Sequence, residues 1–127
     1  MGRGQALTAV VLVNLAINIV HGRAHAGAQV PLSPAGALFV YIVILAGPLV
    51  GLGLWRWRPR LGGSIVAACM GGALLFGLIN HFIIDGSDHV ANVAAEWQSL
   101  FGVSAGLLVA CEAAGVAIGV WSARGSS

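Results

Sequence analysis

Four apolar stretches dominate this chain of 127 residues. They cover residues 6–24, 36–55, 62–84 and 98–121, and each approaches or reaches the length of about 20 residues that an α-helix needs to cross hydrocarbon. None alternates apolar and polar residues as a barrel strand does, and backbone groups inside lipid must find their hydrogen-bond partners within the protein. The sequence therefore predicts an all-α fold with four transmembrane helices.

The composition agrees with a lipid-facing surface. Hydrophobic residues make up 58% of the chain and charged residues only 8%, whereas a soluble domain has about a quarter charged residues. The formal net charge of +2 is too small to indicate binding to nucleic acid. Cys69 and Cys111 both lie in apolar stretches, so we expect them to be small buried residues and not a disulfide.

The arginines predict the orientation of the chain. One side of the bilayer would hold Arg3, Arg56, Arg58, Arg60 and Arg124, whereas only Arg23 would lie on the other side. The positive-inside rule places both termini in the cytoplasm. We therefore expect a single domain, residues 1–127, that forms an antiparallel up-down-up-down four-helix bundle in the inner (plasma) membrane.

Residues 1–26 also fit a secretory signal peptide. Arg3 precedes an apolar run, and Ala24 and Ala26 resemble a small-x-small cleavage site. Asn14 and Asn18 interrupt the run, so we expect it to remain as the first helix. Cleavage would leave three helices with the same orientation.

Glycines at four-residue spacing indicate close helix packing. The pairs are Gly47/Gly51, Gly102/Gly106 and Gly115/Gly119, and small residues at this spacing let helix backbones approach each other in lipid. Pro48 is expected to kink the second helix, because proline lacks a backbone donor.

Polar side chains gather at the outer, extracytoplasmic ends of the helices. His21 and His25 are four residues apart near the end of the first stretch, and so are His81 and Asp85 near the end of the third. A spacing of four places both side chains on one helix face. We expect residues 88–97 to form a short interfacial helix, capped by Ser87, that folds back over the bundle mouth.

This cluster predicts a transition-metal site at the outer face. Imidazole and carboxylate groups suit Zn, Fe or Cu. The expected ligands are His21, His25, His81, Asp85 and His89, and the expected orienting residues are Asn18, Asn80 and Asp88. A haem b between His21 and His81 is a less favoured alternative. The same residues could also simply contact water and headgroups.

Glu112 is the other unusual polar residue. It falls deep in the fourth stretch, at a depth similar to that of Asn14 in the first. A buried acid in a membrane helix serves either as a hydrogen-bonding contact between helices or as part of a proton or cation relay.

Three functions follow from these observations. The leading one is a membrane protein that binds a transition metal, with redox or hydrolytic chemistry left open. The second is an accessory subunit of a larger respiratory or photosynthetic membrane complex, with or without a histidine-ligated tetrapyrrole; a homo-oligomer is the alternative to such a complex. The third is a small proton-coupled transporter that uses Glu112. In each case the lipid bilayer is the main partner.

Overall fold

The computed structural model describes residues 1–124 and is helical except for its connecting segments. Four helices are long and apolar enough to cross a membrane, which is consistent with a multi-pass membrane protein. They are α1 (Arg3–Gly27), α2 (Pro34–Trp55), α3 (Pro59–Ile83) and α4 (Ala95–Arg124). Each begins two or three residues before the predicted stretch, because polar and proline residues at a helix start continue the helix beyond its apolar run.

Two helix starts follow from local sequence. Ser33 precedes α2 and its Oγ accepts a hydrogen bond of 3.0 Å from the backbone N–H of Gly36. Proline then occupies the first position of α2, at Pro34, and of α3, at Pro59. Serine caps and first-turn prolines are the usual start of a helix, because the first N–H groups have no partner within it.

Glycines bring α3 and α4 into close contact. A Cβ atom at Gly119 would lie 2.8 Å from the backbone nitrogen of Ala67, and one at Gly63 would lie 2.7 Å from that of Ala123. The predicted close contact at Gly119 is therefore confirmed. The prediction for Gly102 and Gly106 is wrong: among the described residues nothing lies within 4 Å of a Cβ at either position.

Apolar side chains fill the interior between α1, α3 and α4. Leu7, Val10 and Val11 of α1 meet Val66 and Met70 of α3. All five are buried. This interior holds α1 and α3 at a fixed separation beside the site described below.

Both ends of α1 meet α4 through an arginine and a tryptophan. The guanidinium of Arg3 lies 5.3 Å from the centre of the Trp121 ring. The guanidinium of Arg23 lies 5.8 Å from that of Trp97. Cation–π contacts at this range are attractive, and the two pairs fix the ends of α1 against α4.

Two helices contain π-helical segments. Val40–Ala46 of α2 is π-helical and ends beside Pro48, and the N–H of Gly47 bonds the carbonyl of Ile42 five residues back. Ile79–Ile83, the end of α3, is also π-helical. Such segments are wider than α-helix and often occur at functional sites.

The segment between α3 and α4 corrects one expectation. Residues 84–94 form bends and turns, not the short interfacial helix expected from residue 88. The Asn92 side chain donates to Asp85 Oδ1 at 2.7 Å and to the Gly86 carbonyl at 2.9 Å. These bonds close the segment into a compact turn that competes with helix formation.

Candidate metal centre

Three histidines from two helices meet at one end of the structure. His21 and His25 lie one turn apart on α1, and His81 lies in the π-helical end of α3. Each offers one ligand nitrogen, and the three nitrogens lie within 4.8 Å of one another. The ring centres of His21 and His81 are 4.8 Å apart, and those of His25 and His81 are 5.6 Å apart. This group could hold a metal ion.

Phe101 of α4 supports the three rings. Its side chain is fully buried. Its ring centre lies 4.8 Å from those of His21 and His25 and 5.2 Å from that of His81. The benzene ring offers no competing ligand and excludes water from that side. The histidines therefore turn their nitrogens toward one another and toward the loop.

The orientation of His21 is set by Ser104 of α4. The Ser104 hydroxyl donates its hydrogen to the Leu100 carbonyl at 2.7 Å, with the Phe101 carbonyl at 3.1 Å. When the hydroxyl donates to Leu100, its oxygen accepts from His21 Nδ1, which lies 2.8 Å away. This contact turns Nε2 of His21 toward His81.

The orientation of His81 is set by Asp88 in the turn. Its Nδ1 lies 3.0 Å from the Asp88 backbone carbonyl and 3.2 Å from the carboxylate Oδ1. Both oxygens can only accept, so Nδ1 of His81 is the protonated nitrogen. Nε2 of His81 lies 3.1 Å from Nε2 of His21, within hydrogen-bonding distance.

His25 follows the same pattern. Its Nδ1 donates to the backbone carbonyl of Val30 at 3.4 Å. Its Nε2 lies 3.4 Å from Asp88 Oδ1. All three imidazoles thus contact an oxygen atom of the protein through Nδ1 and direct Nε2 into the cluster, and metal-binding histidines usually make such a contact through the nitrogen that does not bind the ion.

The cluster brings a carboxylate to the three rings. Asp88 Oδ1 is buried and lies 3.2 Å from His81 Nδ1 and 3.4 Å from His25 Nε2. A carboxylate beside imidazoles favours a positive charge at this place, either a proton on a ring or a bound cation.

The spacing fits a metal ion. Imidazole nitrogens bind zinc at about 2.0–2.1 Å, so neighbouring ligands of a tetrahedral ion lie about 3.3 Å apart. The distance of 3.1 Å between the His21 and His81 nitrogens is close to this value. The ligand nitrogen of His25 lies within 4.8 Å of those of His21 and His81.

The structure places Asp85 and His89 outside this group. Asp85 accepts from Asn92, and Nδ1 of His89 accepts from the backbone N–H of Ala91 at 3.1 Å. Asp85 does not share a helix face with His81, because α3 becomes π-helical and ends at Ile83. A spacing of four residues places two side chains on one face only within a continuous helix, and this helix ends before Asp85.

The two asparagines predicted to orient the ligands bond within their own helices. Asn18 Nδ2 donates to the Asn14 carbonyl at 3.0 Å, and Asn80 Nδ2 donates to the Phe76 carbonyl at 2.8 Å. Asp88 is the predicted orienting residue that the structure brings to the histidines.

Glu112 and Asn14 are both 2% exposed. The Asn14 Oδ1 atom has no hydrogen-bond partner among the described residues. Glu112 therefore makes no hydrogen bond with this oxygen. Glu112 instead lines a cavity that also reaches His21 and His81.

Sequence reasoning did not find the contacts made by Ser104 and Val30. Ser104 carries a weak signal, because it is a hydroxyl residue within an apolar stretch, but small polar residues are frequent in membrane helices. Val30 acts through its backbone carbonyl, for which no side-chain pattern exists.

Comparisons with protein-family models, with curated proteins and with solved structures give no match for this chain.

Proposed function

We propose that this chain is a multi-pass inner-membrane protein that binds one transition-metal ion through His21, His25 and His81 at the outer membrane face. The observation that carries the proposal is the convergence of three histidine nitrogens within 4.8 Å of one another, with Nδ1 of each ring held against an oxygen atom of the protein. Asp88 supplies the negative charge that partly balances the ion. The helices would alternate in direction with both termini in the cytoplasm.

Three neutral histidines favour zinc, copper or iron over calcium or magnesium, which prefer oxygen ligands. Three protein ligands with an open fourth position are typical of catalytic sites, whereas structural zinc sites use four protein ligands. The site therefore supports a function in which the ion contacts a further small molecule, through redox or hydrolytic chemistry or by holding it.

The geometry favours a bare ion over a haem. Two axial histidines of a haem lie on opposite faces of a flat ring, with their nitrogens about 4 Å apart across the iron. Here the His21 and His81 nitrogens are 3.1 Å apart. His25 and Phe101 also pack against the same rings at 4.8 Å. No plane is left between the two histidines for a porphyrin.

Metal analysis of purified protein tests the proposal. We expect about one ion of zinc, copper or iron per chain, and loss of that ion in the double variant His21→Ala/His81→Ala. His89→Ala is the matched control, because this histidine bonds within its own turn. Equal metal content in the double variant and the control would reject the site.

A further inference from the structure

A cavity of about 370 Å³ adjoins the histidines. This volume lies in the range of about 300–1,000 Å³ that is usual for small-molecule sites. Side chains from α1, α2, α3 and α4 line it, among them Ile19, Ile44, Phe76 and Leu108. Its polar lining is confined to a few groups, and His21, His25 and His81 are three of them.

The cavity opens sideways, between α1 and α2. α1 packs against the Gly47–Trp55 part of α2, and the π-helical part makes few contacts with it. Ile19 of α1 and Tyr41 of α2 both line the cavity, yet they are 65% and 67% exposed. In a membrane protein, exposed apolar side chains at this height face lipid, so the mouth of the cavity faces the bilayer.

The lining defines the chemistry of a ligand. Aliphatic and aromatic walls favour a chain or ring without charge, because carrying a charge from water through hydrocarbon is costly. The histidines at the outer end, and the ion that they would hold, bind an oxygen atom. Ordinary alkane chains satisfy the walls but offer no oxygen atom to these polar groups.

We infer that this cavity binds an uncharged, lipid-soluble molecule with a hydroxyl or carbonyl oxygen at one end, which enters from the bilayer between α1 and α2. The oxygen lies at His21, His25 and His81, and the apolar remainder lies against Ile44 and Leu108. The proposed position of the oxygen depends on the proposed metal site. The apolar cavity and its lateral opening do not depend on that site.

Gly22 offers a way to close the cavity. It lines the cavity, and a Cβ atom at this position would have nothing within 4 Å. Gly22→Phe therefore adds a ring at the edge of the cavity without displacing a neighbouring helix. Gly106→Phe is the matched control, because Gly106 is equally open but does not line the cavity.

The test uses hexadecanol that carries a photoreactive diazirine, added to the full chain in lipid nanodiscs, with labelled peptides mapped by mass spectrometry. We expect labelling around Ile44 and Leu108, reduced about tenfold by Gly22→Phe because a filled cavity loses its apolar contacts, and unchanged by Gly106→Phe. Labelling that follows exposed residues such as Leu107, or that Gly22→Phe does not reduce, would overturn the inference.

Competition in the unmodified protein gives a second readout that needs no variant. Unlabelled hexadecanol should suppress cavity labelling more strongly than hexadecane, which lacks the oxygen. Equal suppression would overturn the part of the inference that concerns the polar end. Metal content is measured on the same samples, so a chain with cavity labelling and no metal would reject the proposed function alone, and a chain with metal and no cavity labelling would reject this inference alone.

Discussion

Nε2 of His21 lies 3.1 Å from Nε2 of His81, a distance that one shared proton or one bound metal ion can bridge. Nδ1 of the two rings is held by the Ser104 hydroxyl and by the Asp88 carbonyl. The pair therefore directs two possible ligand atoms to the same point, with His25 beside them.

Ser104→Ala tests how His21 is oriented. The variant removes the oxygen that accepts from Nδ1, so the ring can rotate or exchange its tautomer. Loss of such a supporting contact weakens metal binding by about 10–100-fold. A competition titration with a metal chelator measures the affinity. Ser99→Ala, an exposed serine on the same helix, should leave it unchanged; equal affinities in the two variants would show that Ser104 has no orienting role.

Asp88→Asn tests the charge beside the histidines. The backbone carbonyl of Asp88 still accepts from His81, but the carboxylate that lies 3.4 Å from His25 becomes neutral. We expect metal affinity to fall by about tenfold or more, because the cation loses a partner in a dry site. Asp85→Asn is the control with the same chemical change.

The same two variants also distinguish the carboxylate that lies beside the histidines in the structure, Asp88, from the one predicted as a ligand from the sequence, Asp85. If Asp85→Asn lowered the affinity and Asp88→Asn did not, the ligand set predicted from helical spacing would be correct and the arrangement in the turn would be wrong.

Metal binding should stabilise the folded protein. An ion that binds the native state alone adds about 2.7 kcal/mol when its concentration is 100 times its dissociation constant. Thermal unfolding in detergent should therefore shift to higher temperature when zinc is added. His25→Ala should remove most of this shift. An equal shift in both proteins would indicate binding elsewhere.

Gly119→Leu tests the close packing of α3 and α4. A side chain here meets the backbone of Ala67 at a distance no real Cβ contact shows. Overpacking of this kind costs about 1–3 kcal/mol or more, so we expect a lower unfolding temperature. Gly106→Leu adds the same side chain on the same helix, where there is space. Similar stability of the two variants would contradict the packing described here.

The fold was largely predictable because lipid imposes a simple rule on composition. Each apolar stretch of about 20 residues can only be a helix in hydrocarbon, and the four observed helices contain nearly all of the four predicted stretches. The ends of the helices differ from the predicted ends, because the rule concerns apolar residues only, whereas polar turns can continue a helix beyond them. The turn at residues 84–94 depends on the Asn92 side chain, which periodicity does not detect.

The site was predictable where it depends on position along a helix. His21 and His25 share one face of α1, and His81 lies at the matching end of α3, so depth and spacing allow the three to meet if the two helices are neighbours. Asp85 shows where this reasoning fails, because the π-helical end of α3 breaks the four-residue pattern. Ser104 was missed because which helices touch is a property of the packed structure.

X-ray absorption at the zinc edge tests the central claim most directly, because it counts the atoms around the ion in the zinc-loaded, full-length protein. The account predicts a four-coordinate zinc with three imidazole nitrogens at about 2.0–2.1 Å and one further light ligand. A six-coordinate shell of oxygen atoms, or a spectrum that His21→Ala does not change, would contradict it.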